Sequence, residues 1–249
     1  MNIPNHEEFN ARCTLHSSLE NVLCNSFGFG GNDSAIVISR KPAPLPPAPE
    51  RSEEARLDGS QSLFEERGVK QLSEASILSP SGELDGGMVR EFLSPGEARR
   101  MGKLLKAATI TSLKALKEAG IETPDAIITA TAYGMLETSE KFLVDMLENG
   151  EEMLSPTLFM QSTHNTLSSA IAIRTKCHGY NMTYSQGKDS LQWALRDARR
   201  LIQTGKARTV LVGCHDEASP TFQEFFRRMG KPVPPMLSSR SIVLASTDN

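Results

Sequence analysis

The chain has 249 residues, a formal net charge of −3 and 39% hydrophobic residues, which fits one globular domain of ordinary size with some additional chain. Because the charge is near neutral and no basic block occurs, we expect no nucleic-acid or membrane partner. The first twenty residues carry charges throughout, and no window approaches eighteen uninterrupted apolar residues, so we expect a cytoplasmic protein. In that compartment the four cysteines should be reduced thiols.

Residues 1–40 form the first predicted region. Two apolar stretches, ENVLCNS and SAIVISR, flank the glycine-rich segment FGFGGND. This pattern predicts a β-hairpin, or a strand pair joined by a glycine-rich turn.

Residues 41–71 form the second region, which includes KPAPLPPAPERSEEARLDGSQ. Proline, alanine and charged residues occur there without hydrophobic periodicity. We therefore expect a flexible, solvated linker with partial polyproline-II character.

Residues 72–249 form the third region, in which strand and helix patterns alternate. A helix is predicted from Pro95, with Ser94 as its N-cap, to a stop at Gly120. The later segments predict, in order, strand DAIITATAYG, helix ETSEKFLVDMLENG, buried helix TLSSAIAIRTKC, strand YNMTYS, helix KDSLQWALRDARRLIQTGK, and strands ARTVLVGCHDE and RSIVLAST. The alternation indicates an α/β fold with a mostly parallel, mixed sheet covered by helices.

The glycine-rich turn carries the first resemblance to a known family. CNSFGFGG, residues 24–31, resembles the C-terminal hairpin of β-ketoacyl-acyl-carrier-protein synthases, and the match breaks at Asn32 and Asp33. In that family, backbone N–H near the second phenylalanine helps form an oxyanion hole, and its ring gates the acyl channel. The resemblance assigns these oxyanion and gating roles to the turn formed by Asn25, Phe27, Gly28, Phe29, Gly30 and Gly31.

The third region is similar to the N-terminal domain of the same family. EARRMGKLLKAATITSLKALKEAG resembles its first long helix, SPTLFMQSTHNTLSSAIAIRTKCHGYN resembles the segment before the nucleophile, and LIQTGKARTVLVGCHDEAS resembles the helix and strand that follow it. The resemblance implies a thiolase-like half-domain of βαβαβαββ order. The synthase hairpin stands at the wrong end of the chain, and the half that carries both active-site histidines is missing from it.

A ketosynthase needs a cysteine at the start of a buried helix, where the helix dipole lowers the thiol pKa. Family spacing, counted without gaps forward from Gly179 and backward from Gly205, places that position at Lys188. An ammonium group is not nucleophilic, and an acyl amide would not turn over. We therefore predict that this chain has no catalytic residue of its own; a shift of a few residues would place Tyr184, Ser185 or Gln186 there instead.

Other chemically suggestive residues have plainer interpretations. The doublets Cys177-His178 and Cys214-His215 lack the spacing of metal sites, so no metal is expected and Cys214 is assigned to the core. His164 and Asn165 begin a helix that lines the cavity and dimer interface in the family, which makes them, with Lys188, candidate cavity or interface residues. Asp216-Glu217 is interpreted as a solvated turn rather than an acid pair.

The resemblance implies a synthase-like protein of type II fatty-acid or polyketide-type biosynthesis that acts as a chain-length-factor-like partner of a catalytic ketosynthase. Aryl-polyene and flexirubin-type pathways use such divergent subunits. Acyl carrier protein would be met through that partner, a second copy is the other dimerisation partner, and no cofactor is implied. The alternative is a fragment or tail module of an active 3-oxoacyl synthase whose cysteine and histidines lie upstream or in another chain.

Overall fold

The computed structural model describes residues 21–27, 33–39, 68–149 and 154–247. The chain divides into two compact units. In the first unit, strands β1 (Asn21–Phe27) and β2 (Asp33–Ser39) pair antiparallel, with Asn21 opposite Ser39 and Phe27 opposite Asp33. The predicted strand pair is therefore confirmed, whereas most of the predicted linker lies outside the described residues.

The second unit follows the predicted βαβαβαββ order with additional short helices. Its elements are β3 (Val69–Ser79), α1 (Gly86–Phe92), α2 (Pro95–Arg100), α3 (Lys103–Ala119), β4 (Ala126–Ala130), α4 (Leu136–Asn149), α5 (Pro156–Gln161), α6 (Thr166–Thr175), β5 (Tyr180–Tyr184), a 3₁₀ turn (Gly187–Asp189), α7 (Ser190–Gln203), β6 (Thr209–Glu217), α8 (Pro220–Arg228) and β7 (Leu237–Ser246). β3, which the sequence analysis did not identify, begins three residues before the predicted domain boundary.

The five strands of this unit form one mixed sheet in the order β3-β7-β6-β4-β5. β4 is parallel to both β5 and β6, and β7 is antiparallel to both β6 and β3. The sheet is mixed, as predicted, but antiparallel pairings are as frequent as parallel ones. The reason is that α8, which connects β6 to β7, contributes no buried residue and makes no crossover over the sheet.

Helices cover the two faces of the sheet unequally. On one face, which we call the α3 face, α3 and α6 pack through Leu104, Leu116 and Ile171 onto the strands. On the other, the α7 face, the described core receives helical side chains from α7 alone, including Leu195 and Ile202. All five residues of β4 are buried between these layers, which explains its continuous apolar pattern.

The α3 face also contains a buried network of hydroxyl groups. Thr111 Oγ1 lies 2.8 Å from Ser239 Oγ and 2.9 Å from Ser241 Oγ, so α3 is hydrogen-bonded to β7. Ser239 Oγ also lies 2.8 Å from Nδ1 of His215, whose side chain is completely buried. These hydrogen bonds satisfy the buried hydroxyl groups and His215 Nδ1, whereas His215 Nε2 is buried and has no hydrogen-bond partner among the described residues.

The predicted helix from Pro95 to Gly120 is wrong in one respect, because it is two helices that break at residues 101–102. Ser94 does cap the first helix with a capping box, and Gly120 ends the second in a left-handed conformation. Gly102 is extended, and its N–H donates to Gln161 Oε1 at 3.1 Å. This tertiary contact with α5 replaces the intrahelical hydrogen bond that the sequence periodicity predicts.

The longest described helix is α3, with 17 residues. Among the residues that the structure describes, no helix combines the length and the apolar composition that a bilayer span requires.

Candidate functional site

A cleft of about 310 Å³ opens where the carboxyl ends of β4, β5 and β6 meet. These three strands run parallel, so the loops that follow them converge at one edge of the sheet. The lining residues come from the loop after β4, the start of α7, the end of β6 and the segment leading into β7: Ala132, Tyr133, Gly187, Lys188, Ser190, Leu191, Cys214, Asp216, Pro234, Pro235 and Ser238.

Asp216 holds the loop after β4 in place. Its Oδ1 accepts hydrogen bonds from Thr131 Oγ1 at 2.6 Å and from the backbone N–H groups of Ala132 and Tyr133 at 2.7 Å each. Burial raises the pKa of this carboxyl group, and the hydrogen bonds oppose the shift without cancelling it. The prediction of a solvated turn at Asp216-Glu217 is therefore wrong, because β6 continues to Glu217 and both side chains anchor neighbouring loops.

Glu217 lies on the opposite side of the strand and fixes the start of α4. It is only 2% exposed, and its Oε1 accepts from the backbone N–H and the hydroxyl of Thr138 at 3.0 Å each. Burial raises the pKa of this carboxyl group as well. Together the two acidic residues have structural contacts that account for their burial.

Lys188 lies in the 3₁₀ turn that leads into α7, is exposed, and lines the cleft. The next hydroxyl along the chain, Ser190 Oγ, accepts the Gln186 N–H at 2.7 Å and lies 2.7 Å from the carbonyl oxygens of Thr131 and Gly187. Its proton therefore goes to a backbone carbonyl, and none of its partners in the described part of the chain is a histidine that could act as a base. No activated nucleophile is therefore present among the described residues in this part of the cleft.

Cys214 supplies the thiol of the cleft. It is half-buried, and it packs against the core of the α7 face as well as lining the cleft. Burial raises its pKa to about 12, and the carboxylate of Asp216 adds to the shift. Because the thiolate is the reactive form, this sulfur stays protonated at neutral pH and is not a nucleophile.

None of the described cleft-lining residues is a histidine. His215 adjoins Cys214 in sequence but is fully buried on the α3 face, and burial lowers its pKa to about 3. Cys177 is buried in the α3-face core, and its neighbour His178 is exposed. In the described part of the chain, no three His, Cys, Asp or Glu side chains are grouped to hold a metal ion.

His164 contacts the loop after β4 and is not among the residues that line the cleft. A Cβ atom placed on Gly134 would come within 2.4 Å of its Cε1, so the imidazole ring rests directly on the Gly134 backbone. Its Nδ1 is buried and has no hydrogen-bond partner among the described residues. Asn165 precedes α6, and its carbonyl accepts the Ser169 N–H at 3.0 Å. Of these three candidate residues, only Lys188 lines the cleft.

The predicted oxyanion and gating turn cannot be placed relative to this cleft. Asn25 and Phe27 belong to β1, in the other compact unit. Gly28, Phe29, Gly30 and Gly31 lie outside the described residues.

Sequence reasoning missed the anchoring role of Asp216 and the contributions of Tyr133, Pro234 and Pro235 to the cleft. A signal for Asp216 was present, since an acidic side chain at the carboxyl end of a buried strand faces the N–H groups of neighbouring loops. The proline pair gave no comparable signal, because its position depends on how the chain returns from α8 to β7.

Residues 81–245 match the family model described as beta-ketoacyl synthase, N-terminal domain. The chain is similar to a ketosynthase in complex with its chain length factor from Xenorhabdus doucetiae, with 22% identity and a TM-score of 0.55 over 72% of this chain and 79% of that chain. It is also similar to the ishigamide ketosynthase/chain length factor, with 21% identity and a TM-score of 0.60 over 73% of this chain and 63% of that chain.

A third similar structure is a type II PKS acyl-carrier protein in complex with its ketosynthase bound to the hexaketide. The identity is 13% and the TM-score 0.60, over 73% of this chain and 63% of that chain. The chain thus spans less than two thirds of these last two proteins. No curated protein sequence matches it significantly. The family model and the structural similarities confirm the predicted family resemblance and the thiolase-like half-domain.

Proposed function

We propose a function for this chain from its family, because it belongs to the beta-ketoacyl synthase N-terminal domain family. The proposed function is that of a non-catalytic ketosynthase-like subunit of type II fatty-acid or polyketide-type biosynthesis. In this proposal it acts in the cytoplasm, pairs with a catalytic ketosynthase, and shapes the acyl cavity in the manner of a chain length factor. It would meet acyl carrier protein through that partner.

The observation that carries the proposal is the chemistry of the cleft. Lys188 lies in the 3₁₀ turn just before α7, at the position that the family's spacing predicts for the nucleophilic cysteine. The nearby Ser190 hydroxyl is held by backbone groups, and the Cys214 thiol has a raised pKa. A condensation through an acyl thioester needs a thiolate, and neither the lysine nor the half-buried thiol of Cys214 supplies one.

A partner is supported by the open edge of the sheet. β5 is an edge strand, and Tyr180 and Asn181 on it are exposed. An edge strand presents unpaired backbone groups to which another strand can be added. Resemblance to the family places this strand and the helix after it at a subunit interface, so a catalytic ketosynthase is the partner that we propose.

A chain-length role is supported by analogy at the level of the fold. Two of the similar solved structures contain a chain length factor together with a ketosynthase. Apolar side chains that line the cleft, including Leu191, Pro234 and Pro235, would limit the space available to a growing acyl chain. The same proposal extends to a role in aryl-polyene or flexirubin-type pathways.

The proposal is tested by reconstituting the full chain with a ketosynthase from the same source. The ketosynthase alone, the chain alone and the pair are incubated with loaded acyl carrier protein, and product lengths are measured by mass spectrometry. We expect no condensation product from the chain alone and a different length distribution from the pair. A condensation product from the isolated chain would refute the non-catalytic role.

A second candidate is that the chain is a module of a larger active synthase. The observation that favours it is the antiparallel pair β1 and β2, which flanks residues 28–32, whose sequence resembles the end of a synthase. In that case the mass of the polypeptide in source cells, measured through a C-terminal tag, would be about twice the 27.2 kDa of this chain or more. A mass near 27.2 kDa would argue against it.

A further inference from the structure

The outward side of α7 is an exposed surface with an unusual composition. Trp193, Arg196, Arg200 and Gln203 are all exposed, and we call these residues the α7 outer face. The opposite side of the same helix is buried against the sheet through Ala194, Leu195, Ala198, Leu201 and Ile202. Because α7 alone supplies helical residues to the described core on this side, no other described helix packs onto its outer face as part of that core.

Aromatic side chains are concentrated at this surface. Trp193 is the single tryptophan of the chain and is 44% exposed. The Arg196 guanidinium lies 5.1 Å from the centre of its ring, which is within the range of a cation–π contact. Tyr180 and Tyr184 adjoin the same helix through Asp197. Tryptophan, tyrosine and arginine are the residues that contribute most to binding at protein interfaces.

The charge of the surface indicates what it binds. Arg196 and Arg200 are one helical turn apart and point outward, whereas Asp197 already accepts a hydrogen bond from the Tyr180 hydroxyl at 2.8 Å. The α7 outer face itself thus carries two exposed arginines and no acidic residue, with the carboxylate of half-buried Asp197 beside it, although the whole chain has a net charge of −3. A second copy packed on this face would oppose arginines to arginines. A helix with carboxylates at the same spacing would pair with both arginines.

We propose that the α7 outer face docks an acidic helix of a partner polypeptide, with Trp193 as the apolar contact and Arg196 and Arg200 as the charge contacts. This inference rests on the proposed function in one respect, because it takes the catalytic ketosynthase as the polypeptide that carries the acidic helix. Its chemistry is testable without that partner.

The first experiment follows the fluorescence of Trp193 in the full-length chain. The probe is a synthetic helical peptide of about 20 residues, which is about 30 Å long, with glutamates four residues apart beside a leucine row. The control peptide has glutamine in place of each glutamate. We expect a saturable change in emission that weakens as salt increases, and at least about tenfold weaker binding of the glutamine peptide.

Charge-reversal variants locate the binding site. Arg196→Glu with Arg200→Glu should weaken binding of the glutamate peptide at least about tenfold. The matched control, Arg99→Glu with Arg100→Glu, changes two exposed arginines of α2 by the same charge and should leave binding within about twofold. Equal binding of both peptides, or equal losses in both variants, would overturn the inference.

A second experiment separates this inference from the proposed function. The same two variants are compared for binding to the ketosynthase by gel filtration. Loss of the complex only in the α7 variant supports both. A complex that survives the α7 variant overturns the inference and leaves the proposed function intact. Binding of the glutamate peptide without any ketosynthase complex supports the surface chemistry and counts against the proposed partner.

Discussion

The two faces of the sheet differ in how completely they are covered. The α3 face is closed by two helices and by a hydroxyl network that joins Thr111 to Ser239 and Ser241. The α7 face is covered by one described helix, contains the cleft, and leaves Leu78 69% exposed at its edge. Both faces bury an apolar core, so both stabilise the fold, but the α7 face also carries the cleft and the exposed surface for which we propose an acyl group and a partner.

The largest expected effect is the loss of core packing on the α3 face. Leu104 in α3 is fully buried, so Leu104→Ala should lower the free energy of unfolding by about 2–5 kcal/mol through lost burial and the cavity left behind. The matched control is Leu78→Ala on β3, which should cost about 0.5 kcal/mol or less because that side chain is exposed. Equal losses in urea denaturation would contradict the difference in coverage of the two faces at these two positions.

The next effect is a pH dependence that originates on the α3 face. Burial lowers the pKa of His215 from 6.5 to about 3, so the unfolded chain binds a proton in a range where the folded chain does not. The stabilisation from the neutral imidazole is complete above pH 6.5 and is lost as the pH falls towards 3, by about 1.4 kcal/mol per pH unit. His215→Asn should remove this slope from the measured free energy of unfolding.

Two carboxyl groups near His215 change the free energy of unfolding with pH in the opposite direction. The raised pKa values of Asp216 and Glu217 mean that their contribution is complete below their unfolded pKa values and is lost as the pH rises through the folded ones. The comparison of wild type with His215→Asn isolates the histidine, and His178→Asn, at an exposed position, serves as the control. An unchanged slope in His215→Asn would contradict the assignment.

A smaller loss of stability is expected from a substitution at Gly134, in the loop after β4. Gly134 has φ +67°, and a Cβ there would lie 2.4 Å from Cε1 of His164. Gly134→Ala should therefore cost about 1–2 kcal/mol for the left-handed backbone, with a steric contribution in addition. Adding His164→Ala should recover the steric part but not the backbone part. If the double variant regained the full stability of the wild type, the left-handed backbone of Gly134 would not contribute to the loss, contrary to this prediction.

Much of the fold follows from local sequence patterns. The apolar periodicity and capping residues predict α3, α7 and the strands β4 to β7, because those elements bury one or both faces in a regular way. The break at Gly102 was missed because it depends on a hydrogen bond to Gln161, 59 residues away. β3 was missed because five of its eleven residues, at alternating positions, are exposed at the edge of the sheet.

The candidate site was predictable only in part. Lys188 was located by spacing to two glycines, and the structure does place it in the cleft. Asp216 was misinterpreted because its burial depends on three donors in the loop after β4, which a one-dimensional pattern does not bring together. The roles of His164, Asn165 and the glycine-rich turn remain predictions.

The central claim is that this chain has the ketosynthase half-domain without a working nucleophile. The most direct measurement is the intact mass of the full-length chain after incubation with an acyl-loaded carrier protein, alone and beside a ketosynthase. The account predicts an acyl adduct on the ketosynthase and none on this chain, because Lys188 has no thiol to form a thioester and burial raises the pKa of the Cys214 thiol. A stoichiometric acyl adduct on either residue of this chain would contradict it.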